Sequence, residues 1–245
     1  MKYGRVLIKL SGGAFSGTAE TGIERSAVDA LVDEIQALVD EGIQVAIMVG
    51  GGNIFRGRLA ADWGIERAEA DNIGMMSTIV NSLILRGALT ARGGHEVRVM
   101  TAIPISTVAE PYIRLRAIKH LEKGYIVVFA AGIGQPFVTT DYPAVQRAIE
   151  IRAEAILAAK QGVNGVFTAD PKKHPDAKRF ESIAYDDVVS QGLSVMDQSA
   201  FILARDHNIP IHVFDAGTKN AMRDVIRGHS IGTYVGPDAV TRLAD

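Results

Sequence analysis

Cysteine is absent from this 245-residue chain, and tryptophan occurs once, at position 63. Without cysteine the chain cannot form a disulfide framework or a zinc-thiolate site. The absence is consistent with a reducing compartment, and we predict a cytoplasmic protein.

Long apolar runs and an excess of one charge are also missing. The first apolar segment is short and ends at Lys9, which argues against a signal peptide. No stretch of about 18 uncharged apolar residues occurs, so no membrane span is predicted. The formal net charge is −2, which provides no global positive field for nucleic acid. We therefore expect neither a membrane nor a nucleic acid as a partner.

Several familiar nucleotide-binding and hydrolytic motifs are absent as well. The sequence has no Gly-x-x-x-x-Gly-Lys-Ser/Thr, which excludes a P-loop NTPase. No complete Gly-x-Gly-x-x-Gly occurs, since the pair Gly132 and Gly134 is followed by Phe137 where the third glycine would stand. It also lacks His-Glu-x-x-His, and its six histidines show no metal-ligand spacing. No metal site built by the protein alone is predicted.

What the chain does contain is an alternation of short apolar runs and amphipathic helical stretches. The runs, apolar on both faces as in strands covered by helices on both sides, are 6–10, 45–49, 97–100, 126–130, 155–159 and 209–214. Helices are predicted at about 26–41, with Ser26 as the N-cap, and at 71–92, 112–122, 143–152, 196–207 and 219–227. The alternation predicts one α/β domain with a largely parallel sheet and ligands at the carboxyl ends of its strands.

The first apolar run ends in Lys9-Leu10-Ser11-Gly12-Gly13. Glycine lets backbone N–H groups approach an anion and lysine supplies a point charge, so the segment suits phosphate oxygens. A glycine-rich turn with a lysine reaching to solvent explains it equally well.

The second run is followed by Gly50-Gly51-Gly52 and then by Arg56. Three consecutive glycines are costly in chain entropy, and a turn needs one or two. The third favours a ligand that presses against bare backbone, and Arg56 offers a forked donor for phosphate. We favour function over a simple turn here.

The segment after the 126–130 run carries two glycines, two hydroxyls and a carboxylate before a helix. Thr139, Thr140 and the helix N-terminal amides can bind an anion, and Asp141 can hold Mg²⁺ or orient phosphate-binding groups. Helix capping by Thr140 or Asp141 is the alternative, and the two roles are compatible.

A further turn-rich segment, 162–171, follows the 155–159 run. Phe167 in this segment is suited to stacking on a base, and packing in the core is an equally plausible role.

Together and in this order, these segments resemble the bacterial UMP kinase (uridylate kinase) branch of the amino-acid-kinase superfamily. The resemblance covers about residues 5 to 236, and it also includes Asn164-Gly165-Val166, Thr168-Ala169-Asp170-Pro171 and Val195-Met196-Asp197. It implies a three-layer α/β/α sandwich with a mainly parallel central sheet, a single amino-acid-kinase domain over residues 1–245. It also implies transfer of the γ-phosphoryl group of ATP to UMP, with Mg²⁺ arriving on ATP.

The resemblance also implies site residues. Those expected at ATP are Lys9, Leu10, Ser11, Gly12, Gly52, Arg56, Gln161, Phe167 and Asp170. Those expected at UMP are Gly51, Asp71, Ile133, Gly134, Gln135, Pro136, Phe137, Val138, Thr139 and Thr140. Catalysis is assigned to Lys9, Arg56 and Asp141. Homohexamers and allosteric control, by GTP activation and UTP inhibition, are further expectations of the family.

The chain departs from the family pattern at a few positions, namely Gly13, Ile133, Gln135, Val138 and Asn164. The changes at 133, 135 and 138 fall in the UMP segment and bear on UMP affinity. The change at Gly13 bears on any activator-linked role of the first loop.

Three alternatives to UMP kinase remain from the sequence, and one is a nucleotide-sensing regulator that binds nucleotide without turnover. Another kinase of the same superfamily would phosphorylate a carboxylate or carbamate. A non-catalytic storage protein on the same fold would hold metal-oxide clusters with ATP, and it would need clustered histidine and acidic ligands.

Overall fold

The computed structural model describes residues 1–171 and 173–244, apart from the side chain of Arg58, and its strands form one ten-stranded sheet. The strands are β1 (Arg5–Leu10), β2 (Gln44–Val49), β3 (Val97–Thr101), β4 (Glu110–Pro111), β5 (Ile126–Ala130), β6 (Ala155–Lys160), β7 (Phe180–Ala184), β8 (Ile211–Asp215), β9 (Thr233–Gly236) and β10 (Arg242–Leu243). Their order is β10-β7-β9-β8-β6-β1-β2-β5-β3-β4. Neighbours are parallel except for the pairs β8–β9 and β7–β10. A mainly parallel sheet, as predicted, is confirmed.

Helices cover both faces of this sheet. They are α1 (Gly13–Ser16), α2 (Arg25–Asp40), α3 (Gly57–Asp62), α4 (Arg67–Arg92), α5 (Arg114–Glu122), α6 (Asp141–Glu150), α7 (Tyr185–Ser190), α8 (Gln198–Asp206) and α9 (Ala221–Ile226). Alternate strand residues face opposite ways, so that Val6 and Ile8 pack with α1, α2, α4 and α9 while Leu7 packs with α5 to α8. The three-layer α/β/α sandwich is therefore confirmed.

Two details of the predicted helices are wrong. Ser26 does not cap α2, because the helix already begins at Arg25 and the Ser26 hydroxyl donates to the carboxylate of Glu24. Helix α4 begins at Arg67 rather than at Asp71, so Asp71 lies in its second turn. The short elements α1, α3, α7, β4, β7 and β10 were not predicted. Each is too short for a hydrophobic periodicity to be recognised in the sequence.

Helix α4 has the length and composition that a membrane-crossing helix requires. Buried helices of water-soluble proteins satisfy the same criterion, and the sheet-facing side chains of α4, such as Ile79 and Leu85, are buried against the core. Its apolar run is also interrupted by Arg86. The expectation of no membrane span stays a prediction.

The strand order places the site. Strand β1 lies between β2 and β6, and the chain leaves β1 in one direction through β2 and returns on its other side through β6. The carboxyl ends of strands on the two sides of such a reversal open a crevice. The segments that follow β1, β2, β5 and β6 all meet at this edge.

Candidate active site

A buried cluster of three charged side chains lies at the carboxyl edge of the sheet. Lys9 comes from the end of β1, Lys160 from the end of β6, and Asp141 from the first turn of α6. The Asp141 carboxylate forms an ion pair with Lys9, and its other oxygen, Oδ2, lies 3.8 Å from Lys160 Nζ. Lys9 and Asp141 are 5% and 8% exposed, so this charge pattern is held away from bulk water. Two cations thus flank one carboxylate.

The titration of Asp141 and Lys160 follows from this arrangement. Burial by itself would raise the pKa of Asp141, but the charges of Lys9 and Lys160 outweigh it and leave that pKa below its ordinary value. Burial, with a smaller effect of the Lys9 charge, lowers the pKa of Lys160 to about 8. Asp141 is therefore a carboxylate at neutral pH, while Lys160 titrates slightly above it.

Backbone and hydroxyl groups fix the Asp141 carboxylate in place. The amide of Asp197 donates to Asp141 Oδ2 at 3.2 Å, and the Asp141 amide donates to Thr139 Oγ1 at 3.2 Å. Thr139 Oγ1 in turn donates to the Asp197 carboxylate at 2.6 Å. These bonds join the start of α6 to the start of α8, so the cluster does not depend on one flexible loop.

One cavity, here called the glycine cavity, opens between the ends of β1, β2 and β5 and has a volume of about 460 Å³. Its lining includes the loop after β1, the glycines after β2, one face of α4 and the segment 131–140. The lining residues are Ser11, Gly12, Gly13, Gly51, Gly52, Phe55, Arg56, Gly57, Asp71, Gly74, Met75, Thr78, Ala131, Gly132, Ile133, Gln135, Val138, Thr139 and Thr140.

A second cavity, here called the Phe167 cavity, lies on the β6 side and has a volume of about 500 Å³. Lys160, Phe167 and Asp170 are among its lining residues. Thr140, in the lining of the glycine cavity, directly precedes Asp141, which pairs with Lys160. The charged cluster therefore lies between the two cavities.

The space available for a side chain differs among the three consecutive glycines after β2. A Cβ on Gly50 would come within 2.9 Å of the Gly12 nitrogen, and one on Gly51 within 2.7 Å of the Gly74 carbonyl oxygen. A Cβ on Gly52 would meet no other described atom within 4 Å. Packing inside the protein thus explains Gly50 and Gly51, while Gly52 faces the cavity.

Arg56 and Asp71 both line the glycine cavity and both hold its walls. The Arg56 guanidinium donates to the carbonyls of Gly52, at 2.8 Å, and Glu20, at 2.6 Å. Asp71 forms an ion pair with Arg67 and accepts a 2.8 Å hydrogen bond from the amide of Phe137. Asp71 is predicted to bind the sugar of UMP. Its contact with Phe137 also positions the 131–140 segment.

The structure brings together most of the predicted residues, with some differences in how they take part. Leu10 is fully buried, so only its backbone can reach a ligand. Gln161 donates through its side-chain amide to the carbonyl of Gly17 at 2.7 Å, and it lies outside the described lining of both cavities. Gly134, Pro136 and Phe137 belong to the 131–140 segment but also lie outside that lining, and Phe137 is 66% exposed.

Sequence reasoning missed Lys160, Asp197 and Thr78 as residues of the site. Lys160 had a detectable signal, because it ends a buried strand as Lys9 does. Asp197 was part of a segment that resembles the family but was given no role, and Thr78 carried no signal, since its place depends on how α4 packs.

Metal ligands are not clustered in the part of the chain that the structure describes. Within residues 1–171 and 173–244, no three His, Asp or Glu side chains are grouped to hold a metal ion. His212 is buried and bonded to the Tyr3 hydroxyl at 2.9 Å, and burial lowers its pKa to about 3. It is a neutral residue that stabilises the fold.

Comparisons with known proteins agree with one another. Residues 4–215 match the amino acid kinase family. A uridylate kinase of Frankia alni is 58% identical over 234 residues, which cover 96% of this chain and 91% of that protein. The crystal structure of a UMP kinase of Bacillus anthracis has a TM-score of 0.96 and 55% identity over all of both chains. That of a UMP kinase of Ureaplasma parvum has a TM-score of 0.89 and 35% identity, covering 96% of this chain and all of the other.

Proposed function

The chain belongs to the amino acid kinase family and, within it, to the uridylate kinases, and we infer from this that it transfers the γ-phosphoryl group of ATP to UMP. The products are ADP and UDP, which places the reaction in pyrimidine nucleotide biosynthesis. The chain is accordingly a phosphotransferase that acts on a nucleoside monophosphate.

The observation that carries the proposal is the Lys9–Asp141–Lys160 cluster between two cavities. The Phe167 cavity is the proposed site of the ATP base, with Phe167 and Asp170 in its wall. The glycine cavity is the proposed UMP site and also receives the ATP phosphates, through Ser11, Gly12 and Gly52. The phosphoryl group would then pass from one nucleotide to the other beside the cluster.

Charge neutralisation is the proposed catalytic contribution of the two lysines. The acceptor is a phosphate oxygen that is already anionic near neutral pH, so no general base is needed. The transferring group carries spread negative charge in a loose transition state. Lys9 and Lys160 are preorganised to stabilise that charge because Asp141 fixes both. Arg56 and the backbone amides near Gly52 steady the phosphates before transfer.

The acceptor nucleotide is assigned to the walls of the glycine cavity. Gly51, Ile133, Gln135, Val138, Thr139 and Thr140 line that cavity with Asp71. We propose that Asp71 binds the ribose hydroxyls and that Thr139 and Thr140 face the UMP phosphate. Gly134, Pro136 and Phe137 act by shaping the same segment. We propose that Leu10 contacts ATP only through its backbone. For Gln161 to contact ATP, its side chain must first release the Gly17 carbonyl.

Magnesium is proposed to arrive with ATP, whose phosphate oxygens are its preferred ligands. Both oxygens of Asp141 already face lysine ammonium groups. The Asp141 carboxylate is therefore better suited to orienting the two lysines than to binding the metal directly.

Assembly, regulation and localisation are proposed on family grounds. We propose one amino-acid-kinase domain over residues 1–245, a cytoplasmic homohexamer, and control by GTP and UTP. Helix α4 supports an assembly surface because Met76 and Val80 are 46% and 44% exposed on its outer side.

A coupled ADP-release assay with Mg-ATP tests the reaction. UMP, dUMP, CMP, AMP, glutamate and aspartate are compared side by side as acceptors. We expect turnover with UMP and little with the other acceptors. Turnover with glutamate or aspartate instead would support a carboxylate kinase of the same superfamily. Absence of turnover with every acceptor, in protein that still binds ATP, would refute the proposal.

A further inference from the structure

Three polar side chains on one side of α4 hold the two loops that form the glycine cavity. Asp71, Thr78 and Asn81 are seven and three residues apart, which places them on the same side of the helix. Thr78 and Asn81 are buried, at 4% and 0% exposure. Polar groups this deeply buried in a helix require partners, and both find them outside the helix.

Thr78 binds the first residue of the 131–140 segment. Its Oγ1 accepts a 2.7 Å hydrogen bond from the amide of Ala131 and donates at 2.7 Å to the carbonyl of Met75. Ala131 has a φ of 61°, in the left-handed region that residues other than glycine seldom adopt. The Thr78 hydroxyl therefore stabilises a strained backbone position from which the predicted UMP segment departs.

Asn81 binds the glycine loop that follows β2. Its side-chain amide donates to the carbonyl of Gly50 at 2.8 Å and to Asn53 Oδ1 at 2.6 Å. Asn53 is itself fully buried and donates to the carbonyl of Gly22 at 2.9 Å. This network connects α4 to the loop that carries Gly51 and Gly52.

We propose that Thr78 and Asn81 are positioning residues for phosphoryl transfer. From adjacent turns of one rigid helix they fix the distance between the 131–140 segment and the glycine loop. The two loops present opposite walls to the acceptor, so the helix sets the geometry in which UMP is held. The inference rests on the proposed function for its kinetic part, and its structural part can be measured without nucleotide.

Thr78→Val tests the first contact, because it keeps the shape of the side chain and removes the acceptor for the Ala131 amide. We expect the KM for UMP to rise about 3- to 10-fold, with the KM for ATP unchanged within twofold. Thr78→Ser keeps the hydroxyl and is expected to restore the wild-type KM for UMP. Ser82→Ala is the matched control, since it removes a buried hydroxyl whose 2.7 Å bond to the Thr78 carbonyl stays within the helix.

Hydrogen exchange of the nucleotide-free protein separates positioning from direct contact with UMP. In Thr78→Val we expect faster exchange in peptides covering 131–137 than in wild type or in Ser82→Ala. In Asn81→Ala we expect faster exchange in peptides covering 50–57. The exchange result for Thr78→Val tests the positioning role even if the Asn81→Ala protein does not fold.

Unchanged exchange at 131–137 in Thr78→Val would overturn the positioning role, even with a raised KM. An equal rise in both KM values would also overturn it, because that is the result of general destabilisation. If wild-type protein shows no turnover with UMP, the proposed function fails, while the exchange experiment still decides whether α4 holds the two loops.

Discussion

The two cavities of the site are built in different ways. The glycine cavity has walls of backbone that buried side chains of α4 hold in place, with Thr78 bound to Ala131 and Asn81 bound to Gly50. The wall of the Phe167 cavity is fastened to the far half of the sheet instead. There Val166 donates to Thr233 Oγ1 at 2.9 Å, and Thr168 donates to the carbonyl of Lys178 at 2.9 Å.

On the proposed assignment, UMP and the ATP base are held by separate parts of the fold, and the ATP phosphates lie in the glycine cavity with UMP. Changes in the Phe167 cavity are then expected to alter the KM for ATP, and changes in the walls proposed to contact UMP are expected to alter the KM for UMP. Changes in the charged cluster between the cavities are expected to alter kcat. Four tests of this division follow, beginning with the largest expected effect.

Loss of Lys9 is expected to have the largest effect. Lys9→Ala removes the charge that lies closest to Asp141, and kcat should fall roughly 10²–10³-fold or more. Steady-state kinetics with both substrates measure it, and the KM values for ATP and UMP should change far less. Unchanged turnover would remove Lys9 from the mechanism.

Loss of Phe167 tests the donor side. In Phe167→Ala the stacking surface for the ATP base is gone, and the KM for ATP should rise about tenfold. The KM for UMP should stay within twofold of wild type. If it is instead the KM for UMP that rises, the assignment of the two cavities is reversed.

The glycines after β2 provide a matched pair of small substitutions. Gly52→Ala adds a methyl group that faces the cavity, so stability should change by no more than about 0.5 kcal/mol while kcat/KM falls about 3- to 10-fold. Gly51→Ala would place its methyl group against the Gly74 carbonyl, and it should cost about 1–3 kcal/mol of unfolding free energy.

Chemical denaturation and kinetics on both variants distinguish the two effects. A Gly52→Ala protein that loses stability but keeps its full activity would show that this glycine serves the fold alone.

The smallest effect is expected from pH. Lys160 has its pKa lowered to about 8, so it is charged below that pH and becomes neutral above it. The value of kcat/KM should therefore decline on the alkaline side, to about one quarter of its neutral value at pH 8.5. Lys160→Arg keeps the charge at every accessible pH and should move this decline to higher pH. An identical profile in the variant would exclude Lys160 as its source.

The layered fold was predictable because buried parallel strands are apolar on both faces and the helices between them are amphipathic. The runs at 6–10, 45–49 and 126–130 appear as β1, β2 and β5 with shifts of one residue or none. Strand β10 was missed because it has only two exposed residues at the sheet edge, and β7 because Glu181 and Ser182 interrupt its apolar residues.

The site was predictable wherever its chemistry is carried by residues close together in the sequence. Lys9, Gly52 and Asp141 each stand in a polar segment after a buried strand, and the structure brings these segments together. Thr78 and Asn81 could not be predicted as site residues. They resemble ordinary polar residues within a helix until packing places Ala131 and Gly50 beside them.

The most direct test of the account follows the phosphoryl group itself. Wild-type protein and Lys9→Ala are incubated with UMP and ATP labelled at the γ-phosphorus, and the products are separated. We predict that the label appears in the β-phosphate of UDP with wild type, and at least about 10²-fold more slowly with Lys9→Ala. Label released as inorganic phosphate, or equal transfer by the two proteins, would contradict phosphoryl transfer to UMP at the Lys9–Asp141–Lys160 cluster.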